Sequence, residues 1–273
     1  MAEPDGADSG DNRDAARNAA ADALLDAYAS GVPIDPIVLD WPNFDIDDAY
    51  LIQQRQVERW RRDGHAVKGF KVGLTSAAMQ EQLGVYQPDY GVLRDDMFHD
   101  DGVPISVAPF LQPRIEPEIA FVLRHDLRGP GVSFATAARA VEFAMPALEI
   151  IDSRIRDWRI TIVDTIADNA SSGGVVIGGR PVAPSDIDLR LVGCVLSRNG
   201  VSVATGAGGA VLGHPLYSLV WLANTLGRRG VTIPAGSIVI PGSITASQPV
   251  RAGDMWTAEF AGMGSVSARF EEP

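Results

Sequence analysis

Residues 112–123, QPRIEPEIAFVL, set Glu116 and Glu118 at alternate positions of an apolar run. In a strand, alternate side chains share a face, so the two carboxylates point the same way, while Ile115, Pro117 and Ile119 point the other. Two like charges within about 7 Å are unfavourable unless water or a cation separates them. A solvent-facing edge strand meets that condition, and Pro117, which donates no ladder hydrogen bond, suits an edge. Glu149, in the apolar run MPALEIIDSRI, adds a third carboxylate. Three carboxylates from two short strands, with no histidine or cysteine nearby in sequence, form an all-oxygen set suited to Mg²⁺ or Mn²⁺. Such an ion keeps positions for water and for a chelating substrate.

Lysine usage supplies a second clue. Of 23 basic residues only Lys68 and Lys71 are lysines, both within VKGFKVGLTS. Arginine does not exchange its proton near neutral pH, whereas a desolvated amine can. Lys68 reads as an exposed residue; Lys71, alternating with Phe70 and Val72 beside a glycine, reads as an acid-base group. Arg154, in IDSRI, has two open readings: steering an anionic substrate, or pairing with Asp152 or Asp157. His214, ahead of a proline at a helix start, reads as a cap. Cys194 lies in LRLVGCVLSRNG and reads as buried filler; a lone cysteine makes no internal disulfide.

These groups need a scaffold, and composition bounds it. The chain has 273 residues, 46% hydrophobic and 21% charged, the balance of a packed globular protein. Its net charge of −12 and the lack of a basic block longer than RWRR argue against nucleic acid or anionic lipid as partners. The beginning has no secretion-signal pattern, and no apolar run reaches the roughly 18–20 residues of a spanning helix, so no membrane association and a cytoplasmic location are expected.

The organisation expected is an acidic, disordered tail over residues 1–16, a helical region over 17–65 and a mixed β core over 66–273. Within it, AARNAAADALLDAYAS (15–30) and IDDAYLIQQRQVERWRRDG (46–64) read as helices, the second capped by Asp47 or Asp48 and stopped by Gly64. SFATAARAVEFAM reads as a helix ending at Pro146, and HPLYSLVWLANTLG as one beginning at Pro215. The last forty residues read as four strands. Helices and strands do not alternate regularly, which favours a mixed or antiparallel sheet and an α+β class. The glycine clusters GGVVIGG and GAGGAVLG fit neither a phosphate loop nor a dinucleotide fingerprint and read as turns.

The ordered series GFKVGLTSAAMQEQLGVYQPDYGVL, PRIEPEIAFVL, PALEIIDSRI, DTIADNASSGGVVIGG, GHPLYSLVWLANTL and IPAGSIVIPGSITASQPVRAGD resembles the fumarylacetoacetate hydrolase superfamily, in its 2-keto-4-pentenoate hydratase and 4-oxalocrotonate decarboxylase branch. The resemblance runs from about residue 47 to the end. It implies a mixed β-roll or sandwich core with flanking helices, and a divalent metal, Mg²⁺ or Mn²⁺, held at Glu116, Glu118 and Glu149. It further implies an acid-base lysine at Lys71 with an acidic partner at Asp89, and a pocket lined by Ser171, Ser172, Ser243 and Thr245.

What the resemblance implies for activity is hydration of 2-hydroxypenta-2,4-dienoate to 4-hydroxy-2-oxopentanoate in meta-cleavage catabolism of aromatic or steroid rings. Decarboxylation of 4-oxalocrotonate and hydration of 2-oxohept-4-ene-1,7-dioate are the alternatives. The partners it implies are a small 2-oxo or 2-hydroxydienoic acid, further copies of the chain in a homo-oligomer, and a downstream aldolase that consumes the product.

Overall fold

In the computed structural model, residues 8–76, 80–81 and 84–271 are described. Three helices come first: α1 (Asp8–Ser30), α2 (Ile37–Asp40) and α3 (Ile46–Arg62). Helix α1 starts at Asp8, so residues 8–16, assigned by composition to the acidic tail, are helical; residues 1–7 lie outside the described residues. Composition missed this because the supporting contacts are tertiary. Arg13 and Arg17 both pair with Asp48 on α3, and Asp14 pairs with Arg55.

Helix α3 is capped by Asp45, two residues before the earlier of the two expected caps. The Asp45 side chain accepts from the Asp48 N–H, and the Asp48 carboxylate accepts from the Asp45 N–H, a reciprocal capping box. Burial pushes the Asp48 carboxyl up, but the two guanidiniums and the capping bond outweigh it and hold it at about 2, below the usual 3.8. An acid depressed in this way adds stability that is present above pH 3.8 and lost as pH falls towards 2. Asp48→Asn is therefore expected to cost about 2 kcal/mol at pH 7 and progressively less between pH 4 and 2. Thermal melts across that range check this; a gap between variant and wild type that stays constant down to pH 2 would rule out the carboxylate charge as its source.

The strands follow: β1 (Val67–Gly73), β2 (Asp89–Arg94), β3 (Phe98–Asp100), β4 (Pro104–Ser106), β5 (Arg114–Leu123), β6 (Val141–Ile151), β7 (Ser172–Ile177), β8 (Gly193–Arg198), β9 (Val201–Ala207), β10 (Ile238–Ile240), β11 (Gln248–Pro249), β12 (Met255–Phe260) and β13 (Gly264–Glu271). Three further helices punctuate them: α4 (Phe134–Ala140), α5 (Ile162–Ala167) and α6 (Pro215–Arg228). Among the described residues one sheet runs β2-β1-β10-β5-β6-β7-β3, with β11 also on β5, and a second runs β4-β13-β12-β8-β9. Both mix parallel and antiparallel pairs. Strand β6 packs against β12 and β13, which brings Leu148, Ile150, Trp256, Val266 and Phe270 into one core. The fold is α+β with a mixed, two-sheet core and flanking helices, as expected.

Two expectations give way. The helix begun by Ser133 stops at Ala140 instead of Pro146, and residues 141–151 form β6. Alanines carry the helical signal, but tertiary pairing with β5 over Val141–Ile151 overrides propensity in the next five residues. The edge-strand reading of residues 114–123 also fails, because β5 lies between β6 on one side and β10 and β11 on the other. Pro117 is accommodated because β10 pairs only with residues 121–122 and β11 only with 114–115. The chain leaves the sheet between them, opposite the proline. No helix among the described residues is long and apolar enough to cross a membrane.

Candidate active site

The antiparallel register of β5 and β6 places Glu116 directly opposite Glu149, and Glu118 two positions along on the same face. Carboxylate oxygens of the three lie within 4.8 Å of one another. Glu118 and Glu149 are buried and Glu116 is half-buried. The segment that leaves the sheet after β10 closes over them: the Gly242 N–H donates to Glu118 Oε2 at 2.7 Å and the Ile244 N–H to the Pro117 carbonyl at 3.0 Å. Gly242 has φ +125°, and a Cβ there would lie 2.0 Å from Thr75 Oγ1, so this approach requires glycine.

Lys71, on β1, reaches the same pocket across β10. Its Nζ lies 3.3 Å from Glu149 Oε1 and donates to the Ala170 carbonyl at 2.9 Å. Burial alone would lower the ammonium, but Glu149, Asp89, Glu116 and Glu118 outweigh it and push the amine above its ordinary range. Asp89 opens β2 and is buried; its Oδ2 accepts from Thr165 Oγ1 at 3.3 Å. A Cβ on Gly73 would stand 2.2 Å from Asp89 Oδ1 and 3.5 Å from Lys71 Nζ, so lysine and aspartate end in one small volume. Burial pushes the Asp89 carboxyl up, and Lys71 only partly offsets this.

Ala170 belongs to a turn with an uncommon backbone. Asn169, Ala170 and Ser171 have φ of 51°, 52° and 53°, three successive non-glycine residues in the left-handed region. Each such residue costs on the order of 1–3 kcal/mol and persists only where its surroundings dictate it. Here the Asn169 side chain accepts from the Val92 N–H and donates to the Val92 carbonyl, pinning the turn to β2. Ser172 Oγ donates to the Asn169 carbonyl, and Gly91 leaves room for that carbonyl, which a Cβ would approach to 2.3 Å.

Arg154 completes the support. It is fully buried, its Nε 2.5 Å from Asp168 Oδ1, with its remaining nitrogens donating to the Ser172 and Asp168 carbonyls. Its principal partner is Asp168, which neither sequence reading named; Asp152 lies 3.7 Å away. The structure gives Arg154 a scaffolding place and leaves its guanidinium nitrogens committed to protein oxygens.

The other expected site residues divide in two. Ser171 Oγ is buried without a partner, whereas Ser172 is spent on the turn. Ser243 Oγ donates to the Thr245 carbonyl and Thr245 Oγ1 to the Ala246 carbonyl, so both serve their own loop, which lies over Glu118. His214 accepts from the Leu216 N–H at 3.1 Å, the capping role its position indicated. Cys194 is buried and its thiol is pushed up by that burial, in keeping with filler. Sequence reasoning missed Thr165, Asn169 and Gly242; it singled out Ser171 and Ser172 in DNASS and Ser243 and Thr245 in PGSIT instead.

The residues present fit a divalent cation. Four carboxylates face one ammonium, and Glu118 Oε1, Glu149 Oε1 and Asp89 Oδ1 are buried without hydrogen bonds. Burial and the charges of Glu149 and Glu116 push the Glu118 carboxyl well up, and burial with Glu149 does the same to Glu116. Carboxylates crowded together with so few hydrogen-bond partners suit a hard ion. A second cluster, His65, Asp95 and Asp96, is partly exposed, and Arg94 already covers Asp96.

Residues 65–271 match the family described as fumarylacetoacetate (FAA) hydrolase C-terminal. The chain is 45% identical over 255 residues to the 2-keto-4-pentenoate hydratase of Paraburkholderia xenovorans (strain LB400), covering 93% of this chain and 95% of that one. It is 43% identical to the 2-oxo-hept-4-ene-1,7-dioate hydratase of Escherichia coli, covering 87% and 91%. Among solved structures, 4-oxalocrotonate decarboxylase from Pseudomonas putida G7, complexed with magnesium and adipate, superposes with a TM-score of 0.91 at 40% identity, covering 94% and 98%.

Proposed function

We propose that this chain, which belongs to the fumarylacetoacetate hydrolase family, is a metal-dependent hydro-lyase that adds water to 2-hydroxypenta-2,4-dienoate, giving 4-hydroxy-2-oxopentanoate. The observation that carries the reading is the clustered set Glu116, Glu118 and Glu149 facing Lys71, in a chain whose relatives include named hydratases. Glu116, Glu118 and Glu149 would hold the cation, Mg²⁺ or Mn²⁺. When bound, that ion supplies Lewis acidity and a binding point for the vicinal carboxylate and 2-oxo oxygens of the substrate.

The protein's own groups move the protons. Conversion of the dienol to the unsaturated 2-oxo acid removes the enol proton and places one at C5; addition of water then puts hydroxyl on C4 and a proton on C3. Lys71, held by the Ala170 carbonyl and beside Glu149, is the group placed to deliver a proton. Asp89, raised by burial and steadied by Thr165, is the group that exchanges protons beside it. Ser171, with its free buried hydroxyl, is the candidate to orient water or a substrate oxygen. Leu93, Ala120, Ala147, Val175 and Ile240 form a buried apolar cluster on strands of the same sheet.

A diacid substrate is the second reading, and Arg114 favours it. It precedes Glu116 by two residues on the same face, is half-buried, bonds Ser247 Oγ and lies over Trp158, and its charge bears on Glu116. Such a guanidinium suits a distal carboxylate. The experiment that separates the readings is decay of dienol absorbance with Mg²⁺ or Mn²⁺, repeated with EDTA, with products identified by mass. Metal-dependent gain of one water is expected. CO₂ release from 4-oxalocrotonate, with the pentadienoate untouched, would move the assignment to the decarboxylase.

A further inference from the structure

We propose that Gln53, on α3 and ahead of residues 65–271, is a positioning residue whose side-chain amide fixes the contact between Thr165 and Asp89. This rests on the reading of Asp89 as a proton carrier.

Gln53 is 3% exposed, and its Nε2 donates to the Tyr90 carbonyl at 2.9 Å and to the Ile166 carbonyl at 3.0 Å. These carbonyls belong to the residues immediately after Asp89 and Thr165, the pair whose side chains meet at 3.3 Å. One amide group therefore ties the start of β2 to the end of α5, next to the place where their functional side chains touch. Strand β2 is the last in its sheet, so β-pairing alone does not set its distance from α5. A shift of α5 also moves the turn that follows it, whose Ala170 carbonyl holds Lys71. Burying an amide is unfavourable unless both partners stay in place, which makes the residue a spacer as well as a filler.

Gln56 is the internal comparison. It lies nearly one turn further on the same helix, is 0% exposed, and donates to the Ala167 and Ile52 carbonyls, so its described hydrogen bonds reach α5 and not β2. A merely structural role for buried glutamines on α3 affects both residues alike.

The test compares Gln53→Met with Gln56→Met in the full chain at saturating Mn²⁺, reading dienoate turnover, Mn²⁺ binding by calorimetry, and melting temperature. Both variants are expected to melt lower. Gln53→Met alone is expected to lose kcat by about tenfold or more, with KM and Mn²⁺ affinity within about threefold of wild type. Thr165→Val is expected to lose kcat by a similar factor and to add little on top of Gln53→Met. Wild-type kcat in Gln53→Met, or equal kcat losses in the two glutamine variants, would overturn the proposal. If Gln53→Met does not accumulate as folded protein, Gln53→Asn, which withdraws the amide by one methylene, is judged by the same criteria. Absence of dienoate turnover in the wild-type chain is a failure of the functional reading instead; the same comparison then runs on 4-oxalocrotonate.

Discussion

Glu118→Gln is expected to abolish metal-dependent turnover while leaving the metal-free protein as stable as wild type, or more so. The carboxylate is fully buried, one oxygen lacks any hydrogen bond, and Glu116 and Glu149 crowd it. Glutamine keeps an oxygen for the Gly242 N–H but contributes no charge, so it relieves repulsion and removes a ligand together. Turnover should fall by more than about a hundredfold, the upper end of what losing even an outer-shell metal partner costs. The melting temperature in EDTA should hold or rise, and the stabilisation gained on adding Mn²⁺ should shrink. Undiminished activity in this variant would remove the metal-site reading.

Lys71→Met separates chemistry from binding in the opposite direction. The ammonium lies against Glu149 and balances part of the surrounding negative charge. Its removal should leave Mn²⁺ affinity unchanged or tighter, because the ion no longer competes with a neighbouring cation. Turnover should fall by about 10²–10⁴-fold, the range for a positioned acid-base group. The metal-free variant should melt below wild type and recover more on adding Mn²⁺, since it leaves buried carboxylates without a counter-charge. Calorimetry, melts and kinetics on one preparation read all three; wild-type rates would exclude Lys71 from proton transfer.

The parts of this site that were legible in the sequence are those governed by local rules. The two-residue period of a strand put Glu116 and Glu118 on one face, and the scarcity of lysine singled out Lys71. The pairing of Glu116 with Glu149 was not legible, because register between strands 33 residues apart is decided by the whole sheet. Pro117 misled for the same reason: whether a proline sits on an edge depends on where β10 and β11 stop. Helix α4 was read too long because alanine content carries no information about the pairing that claims Val141–Met145. Gln53, Asn169 and Asp168 escaped notice because polar residues in sequence read as surface, and only the fold reveals which ones hold backbone groups in the interior.

The interruption between β10 and β11 bears on how such a catalyst can change its diet. Residues 241–247 are released from the sheet and touch the strand that carries Glu116 and Glu118 through the Gly242 and Ile244 N–H groups, so the side chains at 243 and 245–247 can be exchanged without shifting that strand, which β6 grips along its whole length. One N–H, that of Gly242, is all the cage asks of them among the described hydrogen bonds to Glu118. The molecule thus separates a rigid carboxylate cluster from an adaptable rim. A library confined to residues 243 and 245–247 is a natural place to look for altered substrate length without loss of the underlying chemistry.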